Sequence, residues 1–262
     1  MKKKEPRIVY YRDERQDEFS RVRITPRAID GSYPYLPQGR WKKLTHFFWY
    51  RMVALPLGFL FLKCKFSHRV VGREKLKPYR KGGFYLYGNH TQDIADALIP
   101  TVVALPKDVY VIVHPNNVSM PVLGRITPSL GALPLPDNLD AMRNFREAVR
   151  HRTEEGHVIA IYPEAHIWPY HTGIRNFPDD AFYYPVRHGR PVFCFTNTYH
   201  KKRIGRGARI VTKIDGPFFP PAGASLMSAR RALREDVYRA MCRRAAESTY
   251  TLIKYEKEKP SD

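Results

Sequence analysis

The run VYVIVH (109–114) constrains the fold more than any other stretch. An apolar strand with no polar alternation needs cover on both faces, the condition of a strand inside a largely parallel sheet. HRVVG (68–72), GGFYLYGN (82–89), LGALPL (130–135) and HVIAIYPE (157–164) read as further strands. Between them lie helix-like segments, DIADALIPTVVAL (93–105) and LDAMRNFREAVRHRTEEG (139–156), the second closed by Gly156. AFYYPVRHG (181–189), PVFCFTNTY (191–199) and RIVTKIDGPF (209–218) continue the alternation. The closing segment 225–257 predicts one helix, with Leu226, Leu233, Val237, Ala240, Met241 and Leu252 on an approximate stripe. Strands alternating with helices in this way predict an α/β fold: a mixed, largely parallel central sheet flanked by helices.

Ahead of this pattern the chain is different. Residues 1–40 mix charge, proline and tyrosine without a period and read as an extended arm. The segment 40–66 follows, with an apolar stretch from Phe47 to Leu62 broken by Arg51, Pro56 and Gly58. That stretch is shorter than the ~20 residues a spanning helix needs. Its flanks carry Arg40, Lys42, Lys43, Lys63 and Lys65, with Trp41, Trp49 and Tyr50 placed as interface anchors. Such a segment suits an in-plane or re-entrant helix on an anionic membrane surface; a buried core helix is the alternative. The division expected is therefore 1–66, a basic arm and membrane-associating helix, and 67–262, an α/β domain.

Composition narrows the partners. A formal charge of +20 points to anions: nucleic acid, lipid head groups or phosphorylated metabolites. The basic stripe at residues 187–213 contains eight lysines and arginines and no acid, but few exposed aromatics and no nucleic-acid-binding module, so nucleic acid is not expected. Cys64, Cys194 and Cys242 are widely spaced and match no metal pattern, which fits reduced thiols in a cytosol-facing chain. The basic N-terminus lacks the apolar core of a secretory signal. The location expected is the cytoplasmic face of a membrane, peripheral or monotopic.

Chemistry concentrates in GNHTQDIAD (88–96). An apolar strand stops at Gly88, and Asn89 and His90 follow at the turn. Asn89 with Gln92 has the spacing of a capping box, which would put His90 at the first helical position. Asp93 has a structural reason to be in a first helical turn, whereas Asp96 lies in an otherwise apolar segment and is the better candidate to orient the His90 ring. A second polar corner, Pro163-Glu164, ends the strand HVIAIYPE at the sheet edge where α/β folds place ligands. There is no G-x-S-x-G elbow, P-loop or G-x-G-x-x-G.

Taken in order, GNHTQDIAD, MPVLGRI (120–126) with LGALPL, IYPEAH and YYPVRHGRPVFCF resemble the glycerolipid acyltransferase superfamily, typified by lysophosphatidate acyltransferases, over about residues 68–215. The resemblance implies transfer of a fatty acyl group from an acyl thioester, acyl-CoA or an acyl carrier protein, to a lysophospholipid hydroxyl, with 1-acylglycerol-3-phosphate the typical acceptor. It implies no metal or cofactor. His90 would be the general base, Asp96 its partner and Glu164 a group that positions the acceptor; Asn89, His114 and Arg125 fall at or near the motifs that bind substrate. Three departures stand out. The histidine-to-aspartate gap is one residue longer than the family's. The G-T-R expected after the glutamate is Ala165, His166 and Ile167, and a lysine expected before P-V-L-G aligns with His114. LGALPLPDN also lacks the usual terminal arginine. Arg125, Arg143 or Arg175 are candidates to replace the missing phosphate cations, and a relative with an altered acceptor or without activity is the alternative reading.

Overall fold

A computed structural model describes residues 5–20, 24–37 and 39–258. Its centre is a seven-stranded sheet in the order β2 (Arg69–Val71), β8 (Ala208–Phe218), β7 (Val192–Lys201), β3 (Phe84–Gly88), β6 (Val158–Ile161), β4 (Val109–Val113) and β5 (Ala132–Pro134). The five strands from β7 to β5 are mutually parallel, while β8 and β2 run the other way. The α/β expectation is met, and the reason lies in the strands' two faces. Phe84 and Leu86 of β3 point into one core with Val109, Val111, Val158 and Ala160; Tyr85 and Tyr87 point into the other with Tyr110, Ile159 and Ile161. Both faces are covered, so the runs carry no polar alternation.

One face packs against α1 (Arg40–Phe66) and α2 (Ala95–Ala104), through Leu62, Phe66, Ile99 and Val103. The other packs against α3 (Leu139–Glu154), α4 (Tyr183–His188) and α5 (Leu226–Ala245), through Phe145, Val149, Leu233, Val237 and Met241. Asn138 caps α3 by accepting from the Ala141 N–H at 2.9 Å, and Ser225 caps α5. Segment 181–189 is mostly α4 rather than strand.

The 27 residues of α1 form one helix, longer than its apolar stretch and, by length and composition, able to cross a membrane. Its middle, Phe48–Ala54, is π-helical; there Arg51 pairs with Asp108 at 2.5 Å and Tyr50 is buried. Pro56 lies at the junction where the π-helical turn passes into the α-helical section Leu55–Phe66. One side of α1 lies on the sheet. The other leaves Trp41, Leu44, Phe47, Phe48, Met52, Leu57, Phe59 and Leu60 exposed.

Two expectations at the chain ends change. The closing helix stops at Ala245, and Leu252 lies in the turn that leads into β9 (Ile253–Lys257). The arm is not uniformly irregular, because β1 (Arg7–Tyr11) pairs with β9 in a two-stranded parallel sheet.

Candidate active site

β3 and β6 are neighbours in the sheet, so the residues just past their carboxyl ends, His90 and Glu164, meet. At Gly88, the last residue of β3, the Phe195 ring packs over the space a Cβ would need. The His90 Nδ1 lies 2.9 Å from Asp96 Oδ2. That oxygen also accepts the backbone N–H groups of Thr91 at 2.7 Å and Gln92 at 2.8 Å. A carboxylate oxygen already receiving two donors is an acceptor for the ring as well, so Nδ1 carries the proton and Nε2 keeps its lone pair. The ring is stacked on Tyr162 at 4.4 Å and is 18% exposed, against 1% for the Asp96 side chain. Burial raises the Asp96 carboxyl above its ordinary value, opposed by the hydrogen bond and charge of His90 and by the Thr91 and Gln92 N–H groups.

Asp96, and not Asp93, is the carboxylate bonded to the ring: Asp93 is exposed on the loop, with no hydrogen bond to His90. The capping box does not form. Helix α2 begins at Ala95, and residues 89–94 are a loop drawn inward by its polar side chains. Asn89 donates to the Asn197 carbonyl at 3.1 Å and accepts the Asn197 N–H at 2.8 Å, bridging β3 to β7 instead of capping a helix or facing substrate. Gln92 is buried and donates to Tyr199 Oη at 3.1 Å. This inward loop absorbs the extra residue between His90 and Asp96.

Glu164 also differs from its expected contact with the acceptor. Its side chain is buried and both oxygens are occupied: Oε2 accepts the His90 N–H at 3.1 Å and an Arg175 N–H at 3.2 Å, and Oε1 accepts the Arg175 backbone N–H at 3.0 Å. Burial raises its carboxyl, opposed chiefly by the Arg175 charge. Arg175 is consumed inside the fold too. Its guanidinium lies 4.8 Å over the Trp168 ring and donates to the carbonyls of His166 and, at 3.3 Å, Glu14. The arm therefore braces this loop: Glu18 accepts from the Ile167 N–H at 3.1 Å, and the Asp17 carbonyl accepts from Trp168 Nε1 at 2.8 Å. Arg175 is thus no candidate for a free phosphate cation.

His114 and Arg125 remain open. His114 is exposed immediately after β4, two strands from His90 on the same sheet edge, or roughly 10 Å at ~4.8 Å per strand. Arg125 is exposed on the single helical turn Leu123–Ile126 between β4 and β5. Arg143 is exposed on α3, its nearest acid Asp140 at 4.0 Å. The residue that sequence reasoning overlooked is Asn197, whose amide reaches Asp96 Oδ1 at 3.4 Å and whose Oδ1 accepts from Thr212. The signal was present: three polar residues, Thr196-Asn197-Thr198, interrupt an otherwise apolar strand.

A family model described as Acyltransferase matches residues 67–197, which take in β3, the His90–Asp96 pair, Glu164 and Asn197. The chain belongs to this acyltransferase family. Acyltransferases of the glycerolipid superfamily are thus the group to which the site must be compared. Among solved structures, the fold is similar to that of the 1-acyl-sn-glycerophosphate (LPA) acyltransferase PlsC from Thermotoga maritima, with a TM-score of 0.56, 19% identity, and coverage of 82% of this chain and 87% of that one. At that identity the likeness shows the fold. No curated protein matches the sequence.

Proposed function

We propose that this acyltransferase is membrane-associated, on a cytoplasmic face, and moves a fatty acyl group from an acyl thioester to the hydroxyl of a lysophospholipid, with 1-acylglycerol-3-phosphate as the first candidate acceptor. The observation that carries this reading is the His90–Asp96 pair, with Nδ1–H held by the carboxylate and Nε2 left as the basic atom. In the proposed step, Nε2 takes the proton of the acceptor hydroxyl as its oxygen attacks the thioester carbonyl. The carbon–sulfur bond breaks, and the thiolate takes the proton back from the imidazolium. Asp96 keeps the tautomer and offsets the transient positive charge. No covalent acyl-enzyme is needed.

The exposed apolar side of α1, flanked by lysines and arginines, supports docking on an anionic membrane through residues 40–66, while the arm before it packs onto the catalytic domain. On the catalytic edge, β7 runs on past β3 into a hairpin loop, residues 202–207. Lys201, Arg203 and Arg206 are exposed there and Ile204 is 90% exposed, a surface suited to coenzyme A phosphates, an acidic carrier or lipid head groups. His114 and Arg125 are assigned the acceptor head group. The internal pairing of Arg175 favours a second reading, in which the acceptor's head group is not a bare phosphate monoester.

Purified protein incubated with radiolabelled acyl-CoA and a panel of lysolipids tests both. Labelled product with lysophosphatidate above all other acceptors supports the first reading, and preference for a different head group supports the second. Absence of product with every acceptor, from acyl-CoA and equally from acyl carrier protein as donor, sinks the acyl-transfer assignment.

A further inference from the structure

Opposite the catalytic edge, at the amino ends of β3 and β4, a cleft of about 230 Å³ opens between the 3₁₀ turn Arg73–Tyr79 and the end of α2. Its apolar floor is Leu76, Phe84 and Ala104, and its rim carries Arg73, Lys77, Arg80 and Lys107 against one acid, Glu74. β3 alone puts about 16 Å, at ~3.3 Å per residue, between this cleft and His90.

With 45 lysines and arginines against 25 acids, many cations of this chain lack an acid partner; these four are set apart by ringing one cleft. Lys75, next in sequence to Glu74, reaches Asp215, and Arg51 beside the cleft reaches Asp108. Among the described residues, none of Arg73, Lys77, Arg80 and Lys107 lies within ion-pair distance of a carboxylate. Two are nevertheless held in fixed directions by backbone carbonyls: Arg73 donates to Val102 O at 2.6 Å and Lys107 to Arg80 O at 2.7 Å. Partial burial lowers the pKa of both, and no nearby acid restores it. Arg73 and Lys107, oriented, partly desolvated and without a counter-charge, with exposed Lys77 and Arg80 on the same rim, are arranged for an anion from outside the chain.

We propose that this cleft binds a phosphate group. Its small volume and apolar floor fit one tetrahedral anion attached to a larger body, and arginine with lysine is the donor set that phosphate oxygens take. Two sources share that chemistry, an anionic phospholipid head group and a soluble phosphate. The cleft's wall is tied to α1, since Arg51 donates to the carbonyl of Pro106, a cleft-lining residue, at 2.5 Å. The proposal concerns an edge of the sheet that His90 does not share, and it stands or falls apart from the acyl-transfer chemistry.

The test compares wild type, Arg73→Glu/Lys107→Glu, and the control Arg231→Glu/Arg243→Glu, whose charges lie on α5. Lys77→Ala/Arg80→Ala is a milder cleft variant that leaves both carbonyl contacts in place if the first pair fails to fold. Partition onto phosphatidylglycerol and phosphatidylcholine vesicles is measured without substrate, and Tm is measured with and without inorganic phosphate. A loss of roughly tenfold in partition onto phosphatidylglycerol for the cleft variants, with less than threefold for the control, identifies a lipid head group as the source. A phosphate-induced rise in Tm that the cleft variants lose, with vesicle partition unchanged, identifies a soluble phosphate. Equal vesicle losses in cleft and control variants, with no phosphate effect on wild-type Tm, overturn the proposal.

Discussion

Asp96 accepts the Nδ1–H of His90 at 2.9 Å across five intervening residues, because the loop between them folds its own N–H groups onto the same carboxylate oxygen. The longer spacing is therefore no defect of the pair. It makes Asp96 both the orienting group for the ring and the organiser of the loop that carries it. Asp96→Asn retains the volume but presents a neutral amide to Nδ1 and to two backbone donors. The expected result is a kcat lower by about 10²-fold or more with KM changed much less. Asp93→Asn, by contrast, should stay within about twofold of wild type; steady-state kinetics on the two variants separates the roles.

Glu164 and Arg175 form the most deeply buried ion pair among the described residues, with side chains 0% and 1% exposed. Arg175→Ala strands the Glu164 carboxylate next to the His90 backbone, which should cost about 3–5 kcal/mol of stability. Urea unfolding reads that loss directly. A loss below 1 kcal/mol would show that the loop is held by the arm contacts alone.

Ala165, in the turn after Glu164, has φ +62°, in the region that favours glycine. Ala165→Gly relieves this strain at the cost of a looser unfolded chain. The expected net is a gain of up to about 1 kcal/mol, seen as a higher urea midpoint with unchanged acyl-transfer kinetics.

His68 donates through Nε2 to Thr212 Oγ1 at 2.8 Å, and Thr212 in turn bonds Asn197, so a buried polar chain runs from the edge strand to Asp96. Burial lowers the His68 pKa from 6.5 to about 4. The folded value lies below the unfolded one, so the unfolded chain binds this proton more tightly. Its contribution to stability is complete above pH 6.5, declines as pH falls, and is fully lost by about pH 4. The linked loss approaches about 3 kcal/mol as a ceiling. Unfolding midpoints across that range, compared with His68→Gln, should show the wild-type decline flattened in the variant.

The elements visible in the sequence are those whose burial is local. β3, β4 and β6 announce themselves because strands covered on both faces cannot alternate. Asp96 stands out because a carboxylate in an apolar helical segment has no solvent to face. What escaped was set by partners far along the chain. The pairing of β1 with β9 joins residues about the whole chain apart, and Leu252 leaves the helical stripe because the chain must turn back to meet Arg7. Asn89 and Gln92 have capping-box spacing, yet Asn197 and Tyr199 on β7 offer them buried partners, and these tertiary bonds override the local motif. Arg175 looked like a spare cation because nothing near it in sequence revealed that Glu164 and the arm surround it.

The central claim is that His90 supplies the base for acyl transfer. The most direct measurement is the rate of transfer from radiolabelled acyl-CoA to the preferred lysolipid by His90→Ala, with circular dichroism and Tm confirming that the fold persists. The account predicts a rate reduced by at least about 10³-fold, within the range that a general base contributes. A folded His90→Ala protein with wild-type turnover would contradict it.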